Sequence, residues 1–521
     1  VEAPQLIKSA GLVSLATVVS RISGLVREQV FAVMFGAGLR VDAFVAAFRI
    51  PNLLRELLAE GALSSAFVPI FTEDLAKSGK PAAWRTANIV INTLILLTGL
   101  IVFLGILASP LLVKAIAPGF GKIAGKWDLT IQLTRIMFPF LLFISLAAVA
   151  MGMLNSLHRF ATPAFAPVML NLGMIAAGFL ISPFLPEPML GMAIGAVLGA
   201  IGQFAIQVPA LRREGYRYQF ILDFGDPGLR KIFFLMTPAI LGLASTQINI
   251  FVNTQIASFL PQGSVSYLSY SFRLLSFPLG VFGIAIATVS LPAFSKKIAE
   301  NDTPGALSSF YSALRLIFFL SIPSTVFLGV AGEQIVAVLY QYGKFSYPDT
   351  VNTASALLFY CLGLFAFAAV RVTVSLFYSL KDAKTPVKIS VLVVAFNIVT
   401  NLLLMRPLGF RGLALAASLS GILNLLLLLR SLNKKMGELD FKRLWSAFLP
   451  ILAASLGTGL ILWLFLHYYH LDLASATLSQ KVWQIVLLLL ITSLTYLGLT
   501  KILKIPESGQ LLSLVTKRKA K

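Results

Sequence analysis

Four arginines fall within otherwise apolar sequence near the start of the chain: Arg21, Arg27, Arg49 and Arg55, in SRISGLVREQVFAVMFGAG and VDAFVAAFRIPNLLRELLAEGA. An arginine at bilayer mid-depth costs about 2.5–3.5 kcal/mol on insertion scales, so a cluster of them on adjacent helices requires a compensating role. The planar guanidinium binds phosphate bidentately and keeps its proton when partly desolvated. Asp42, Arg49 and Glu56 stand at i, i+7 and i+14, an advance within about 20° of whole turns, and so share one helical stripe. Glu60 extends that stripe by one turn, and Arg55 lies about 100° round from Glu56. Two readings of the stripe remain: an ion-pair ladder locking two helices, or the wall of a hydrated cavity for an anionic ligand. Arg21 and Arg27, six residues apart, either face that cavity or snorkel to the interface. Arg273, in YSFRLLSFPLG, is similarly deep in apolar sequence and has no acidic neighbour on its own helix.

Composition sets the elements that must carry these residues. The 521 residues are 58% hydrophobic and 12% charged, with mean hydropathy +0.87, where a soluble chain would be nearer a quarter charged. Apolar runs of about 20 residues recur from end to end, the length needed to cross a bilayer. Fourteen helices are expected, at 6–35, 41–75, 84–112, 128–157, 163–183, 188–211, 229–260, 264–298, 304–332, 348–379, 384–405, 409–432, 443–468 and 479–503. With both termini cytoplasmic, most loop Lys and Arg fall on the inner side, as the positive-inside rule requires. The net charge of +21 is then an expression of that rule and of contact with anionic lipid, not of nucleic acid binding.

The chain also contains a duplication. Ser156-Leu157 with Thr162-Pro163 matches Ser379-Leu380 with Thr385-Pro386, Pro69 matches Pro292, and Phe48-Arg49 matches Phe272-Arg273, at offsets of 223 or 224. Six helices separate equivalents, so the repeats are parallel about an axis along the membrane normal. The expected fold is all-α and integral to the membrane. Two six-helix lobes, 1–218 and 225–436, surround a central cavity; two further helices occupy 441–505 and a basic cytoplasmic tail 506–521.

Catalysis finds little support. The three histidines, His158, His467 and His470, sit at helix ends or in a loop, and no GxxxxGK[ST] motif offers an ATP site. The expected class is a transporter, not an enzyme, with no cofactor and with coupling to the membrane potential or a monovalent cation.

The stretches SRISGLVREQVFAVMFGAG-x2-VDAF, FRIPNLLRELLAEGALSSAFVPIF, FPLGVFGIAIATVSLP and QYGKF resemble the MurJ (MviN) family of lipid II flippases, within the multidrug/oligosaccharidyl-lipid/polysaccharide exporter superfamily. The resemblance implies alternating access in the bacterial inner membrane. The substrate would be the undecaprenyl-pyrophosphate-linked peptidoglycan precursor, carried from the cytoplasmic to the periplasmic leaflet. It places the polyprenyl tail in a groove of the thirteenth and fourteenth helices, and Arg21, Arg27, Asp42, Arg55, Arg273 and, more weakly, Glu60 in the cavity. Cell-wall synthesis machinery is a further expected partner. A flippase for another polyprenyl-linked glycan, or a drug exporter of the superfamily, is the alternative. Two departures stand out: Phe272 and Ser276 flank Arg273 where the family often has acids. Asn249, Asn397 and Asn401 also stand in the seventh and eleventh helices, where sodium-coupled carriers of this type have carboxylates, and they are the only ion-site candidates.

Overall fold

The computed structural model describes residues 3–57, 63–437 and 439–509, apart from the side chains of 3–11, 14, 239 and 241–246. Every regular element among them is helical, in the order α1 (Ala3–Phe35), α2 (Leu39–Leu54), α3 (Ser64–Leu107), α4 (Ser109–Ile116), α5 (Lys126–Met137), α6 (Phe140–Ser156), α7 (Ala161–Leu180), α8 (Met189–Ala205) and α9 (Val208–Arg213). The chain continues through α10 (Pro227–Ser258), α11 (Ser264–Pro278), α12 (Ala285–Ala299), α13 (Thr303–Val330), α14 (Gly332–Tyr340), α15 (Tyr347–Cys361) and α16 (Leu364–Ser379). It ends with α17 (Lys384–Leu408), α18 (Phe410–Met436), α19 (Phe441–Tyr468) and α20 (Leu478–Ile502). Ten helical stretches among the described residues are long and apolar enough to cross a membrane, or eleven if α15 and α16, bent by 43° at their junction, form one span.

Several expected segments are interrupted. The expected helix 41–75 is broken after α2, where residues 55–57 widen into a π-type turn one turn beyond Pro51. Proline removes one backbone donor from the ladder, which favours local rewinding. α3 turns sharply at Gly79, whose φ of 77° is open to glycine at little cost, and Pro81 then starts the next helical stretch. The short α14 falls where a plain loop was expected, and α4 reaches into the expected loop after residue 112.

These interruptions repeat. α1 begins at Ala3 and α10 at Pro227, α4 at Ser109 and α14 at Gly332, α7 at Ala161 and α17 at Lys384, again offset by 223 or 224. The π-type turns at 55–57 and 279–284, and the breaks after α5 and after α15, follow the same spacing. The duplication therefore extends to kinks and short helices that sequence matching did not detect.

The chain divides into two compact units, Val1–Ser266 and Tyr267–Lys521, so α10 packs with the first repeat although it opens the second. The first unit's core joins α3, α6 and the start of α10 through Phe67, Phe71, Ile89, Val149 and Leu229. Its tightest helix pair is α7 with α8. A Cβ on Gly199 would lie 2.7 Å from the Leu170 Cα, and one on Gly195 would lie 2.8 Å from the Gly173 carbonyl oxygen. This is the small-residue approach that lets helices pack without a hydrophobic driving force. In the second unit, α19 and α20 are integrated with the bundle: Phe448 packs on Phe318, and the Tyr496 hydroxyl donates to the Phe319 carbonyl.

Candidate functional site

The C-terminal end of α2 gathers the polar groups of the first unit. Arg55 donates from Nε to Asn52 Oδ1 at 3.0 Å, and its Nη2 lies 3.7 Å from Glu56. Glu56 accepts from Asn52 Nδ2 at 2.8 Å and from Gln247 Nε2, on α10, at 2.5 Å. Arg49, Asn52 and Gln247 form the polar side of a small recess, and Leu53, Ile116, Ile250 and Phe251 form its apolar side. The arrangement orients Arg55 by an amide and a carboxylate and sets Arg49 beside an apolar wall, which suits an anion with an apolar attachment. The sequence reading had placed Arg49, Arg55 and Glu56 together but missed Asn52 and Gln247. Amide side chains within apolar helices were the available signal.

A second group forms on α1. Arg27 donates to Glu28 Oε1 from Nη2 at 2.6 Å and from Nε at 3.1 Å, and from Nη1 to Asn171 Oδ1 on α7 at 3.0 Å. Asn171 in turn donates to Ser23 Oγ and the Ser20 carbonyl. Arg27 is thus held by a buried acid and by α7. Glu28 and Asn171 were not anticipated, although Glu28 is adjacent in sequence. Arg21 is exposed, and no hydrogen bond or ion pair holds it among the described residues. Arg273 is exposed on α11 in the second unit, next to Phe272, whose ring meets Tyr360 edge-on at 5.7 Å.

Asp42 requires a correction. It was expected on a cavity wall, but its side chain and that of Lys126 are each 1% exposed and form an ion pair of 2.8 Å. Both carboxylate oxygens are fully used: Oδ2 also accepts from the Gly263 amide at 2.8 Å. Oδ1 accepts from the Ser266 amide at 2.8 Å and from Ser266 Oγ at 2.5 Å. Asp42 therefore caps the first turn of α11 and neutralises Lys126, whose Nζ stands 4.0 Å above the Phe120 ring. A stripe calculation places Asp42, Arg49 and Glu56 on one face, but 14 residues of helix separate its ends by about 21 Å, and the two ends have different neighbours.

Of the remaining candidates, Glu60 lies outside the described residues. Asn397 donates to Ser420 Oγ at 3.0 Å and accepts from Asn401 at 2.9 Å, both amides being buried, so they act as polar contacts between α17 and α18. Asn249 accepts from Asn253 at 3.4 Å. Among the described residues no three of His, Cys, Asp and Glu come together as metal ligands.

The family model "Lipid II flippase MurJ" matches residues 31–482. The chain belongs to the lipid II flippase MurJ family. It is 38% identical over 509 residues to a probable lipid II flippase MurJ of Vibrio cholerae, covering 96% of this chain and 95% of that protein. It is 36% identical over 423 residues to the lipid II flippase MurJ of Burkholderia cenocepacia, covering 80% and 82%. Among solved structures, a lipid II flippase MurJ in an inward closed conformation aligns with TM-score 0.79 at 28% identity, over 94% of this chain and 98% of that one. An inward-facing multidrug MATE transporter of the MOP superfamily aligns with TM-score 0.65 at 15% identity, over 82% and 94%, which shows a shared fold.

Proposed function

We infer that the chain is a lipid II flippase, moving the undecaprenyl-pyrophosphate-linked peptidoglycan precursor from the cytoplasmic to the periplasmic leaflet by alternating access. Membership of the family over nearly the whole chain carries this reading. The arginines at the end of α2 supply its chemistry: Arg55, held by Asn52 and Glu56, and Arg49, beside Asn52 and Gln247, would grip the pyrophosphate, with Arg27 and Arg273 contributing from α1 and α11. Arg21 is a weaker member, and Asp42 is assigned to supporting that constellation, not to contacting substrate.

The finer architecture belongs to the same proposal. Fourteen spans result if α1 and α10 each cross the membrane and α2 crosses together with the following turn and the part of α3 before Gly79, and the repeats 1–218 and 225–436 then form two six-helix lobes. α19 and α20 would carry the polyprenyl tail. The distribution of Lys and Arg favours cytoplasmic termini, and the flippase reading favours the bacterial inner membrane. The membrane potential or a monovalent cation would give direction. Cationic cavity residues favour a lipid pyrophosphate over the cationic drugs that a carboxylate-lined exporter would take.

Depletion of the protein followed by a leaflet-specific assay of the lipid-linked precursor tests this reading. Precursor is expected to accumulate on the cytoplasmic side. Arg27→Ala, Arg55→Ala and Arg273→Ala variants should reach normal membrane levels without restoring transport. Full rescue by all three would remove the arginine constellation from the mechanism.

A further inference from the structure

The connection between α9 and α10 is long enough to be a flexible linker, but its backbone is held along most of its length. Asn88 and Asn92, one turn apart on α3 and each 1% exposed, hold it between them. Asn88 donates to the Arg217 carbonyl at 3.2 Å and accepts from the Gln219 amide and the Tyr216 hydroxyl at 3.1 and 2.8 Å. Asn92 donates to the Gln219 and Ile221 carbonyls at 2.9 and 3.1 Å and accepts from the Tyr218 hydroxyl at 2.6 Å. Glu214, bound by Lys80 and Arg159, and Asp223 and Asp226, bound by Arg85, fix the two ends.

The register along α3 gives the strap a depth. Its end at Asp223 and Asp226 is level with Arg85, whereas its middle, 219–221, is level with Asn92, seven residues or about 10 Å further along the helix. One turn beyond Asn92, α3 begins to present exposed apolar residues, Leu96, Leu97 and Leu100. The strap therefore dips from the level of the charged helix ends to the edge of the hydrocarbon. It exposes an apolar row at alternate positions, Phe220 71%, Leu222 38% and Phe224 62%, while Tyr218, 56% exposed, reaches back to Asn92 through its hydroxyl. Arg212, Arg213, Arg217 and Arg230 are exposed around it and form no ion pair among the described residues, because the strap's three acids are already bound by Lys80, Arg159 and Arg85.

We propose that the 214–226 strap is an interfacial wedge that binds the anionic lipid surface of the cytoplasmic leaflet, with Phe220 and its neighbours at the headgroup–acyl boundary and the four arginines on the lipid phosphates. It rests on the orientation proposed above. Aromatic residues partition to that boundary, and each basic residue near an anionic surface adds roughly fivefold to binding. The Asn88 and Asn92 bonds order the strap beforehand, so little conformational entropy is lost on insertion. The anchor secures the segment that joins the two sequence repeats, the place where a transporter of this design must keep its depth fixed.

The test uses the full-length protein with the buried Cys361 replaced by alanine and a fluorophore on Phe220→Cys, with Lys77→Cys and Leu100→Cys as aqueous and lipid references. Vesicles of phosphatidylcholine with phosphatidylglycerol carry bromine on the acyl chains of one lipid or the other. The expected result is quenching at 220 several-fold above that at 77 and close to that at 100, with an excess for brominated phosphatidylglycerol. Arg212→Gln, Arg213→Gln and Arg217→Gln should each reduce that excess roughly fivefold. Quenching at 220 no greater than at 77 overturns the wedge. Equal quenching by both lipids, unchanged by the arginine variants, overturns the anionic preference. Crosslinking of position 220 to a second polypeptide instead of lipid overturns the lipid assignment. Labelling of Lys77→Cys by an impermeant reagent outside intact cells would overturn the leaflet, independently of the depth measured.

Discussion

Replacing Asp42 with alanine deprives four donors of their acceptor at once and leaves Lys126 as a buried ammonium whose remaining stabilising contact is the Phe120 ring. Breaking a buried ion pair from one side costs about 3–5 kcal/mol, because the surviving charge stays desolvated. Lys126→Met has a different consequence: Asp42 keeps the Gly263 and Ser266 amides and the Ser266 hydroxyl, so the loss is that of one charged hydrogen bond, about 1.5–3 kcal/mol. The double variant removes the stranded ammonium and should be no less stable than Asp42→Ala alone. Thermal unfolding in detergent, followed by the fraction remaining monodisperse on size exclusion, measures this order. An Asp42→Ala protein as stable as the parent, or a double variant equal to the sum of its singles, would refute the hub. A substrate contact without structural role would show the first of these results together with lost transport.

Further expectations follow from other contacts. Gly199→Ala places a methyl 2.7 Å from the Leu170 Cα and should cost about 1–3 kcal/mol by overpacking α7 against α8, read as lower thermal stability. Gln247→Ala leaves Glu56 with the Asn52 amide and Arg55. It should weaken transport by drawing Arg55 towards the carboxylate, with a larger effect on substrate affinity than on membrane level. Glu214 is held below its usual 4.5 by hydrogen bonds from Arg159 and Lys80, and Asp382 is held below its usual 3.8 by Lys435 and Thr385. A folded-state pKa depressed in this way contributes stability that is complete above the unfolded value and is lost as pH falls through the folded one. Acid titration of unfolding should therefore show a limb below about pH 4.5 that flattens in Glu214→Gln.

The sequence determined the membrane class, the repeat and the location of the cationic stretch, because each is a one-dimensional signal. Apolar run length, loop charge and the 223-residue offset need no knowledge of what packs on what. Arg27, Arg49 and Arg55 were recognisable for the same reason, since the insertion penalty for arginine holds whatever its neighbours are. The partners of these residues were decided only in three dimensions. Glu28 and Asn171 hold Arg27, and Gln247 reaches Glu56 from about 190 residues away. Lys126 turns Asp42 from a candidate ligand contact into a buried cap. Helical periodicity gives the face on which a side chain lies, but not what covers that face. For a charged group in a low-dielectric interior, the covering neighbour decides whether the charge is available to substrate or already neutralised.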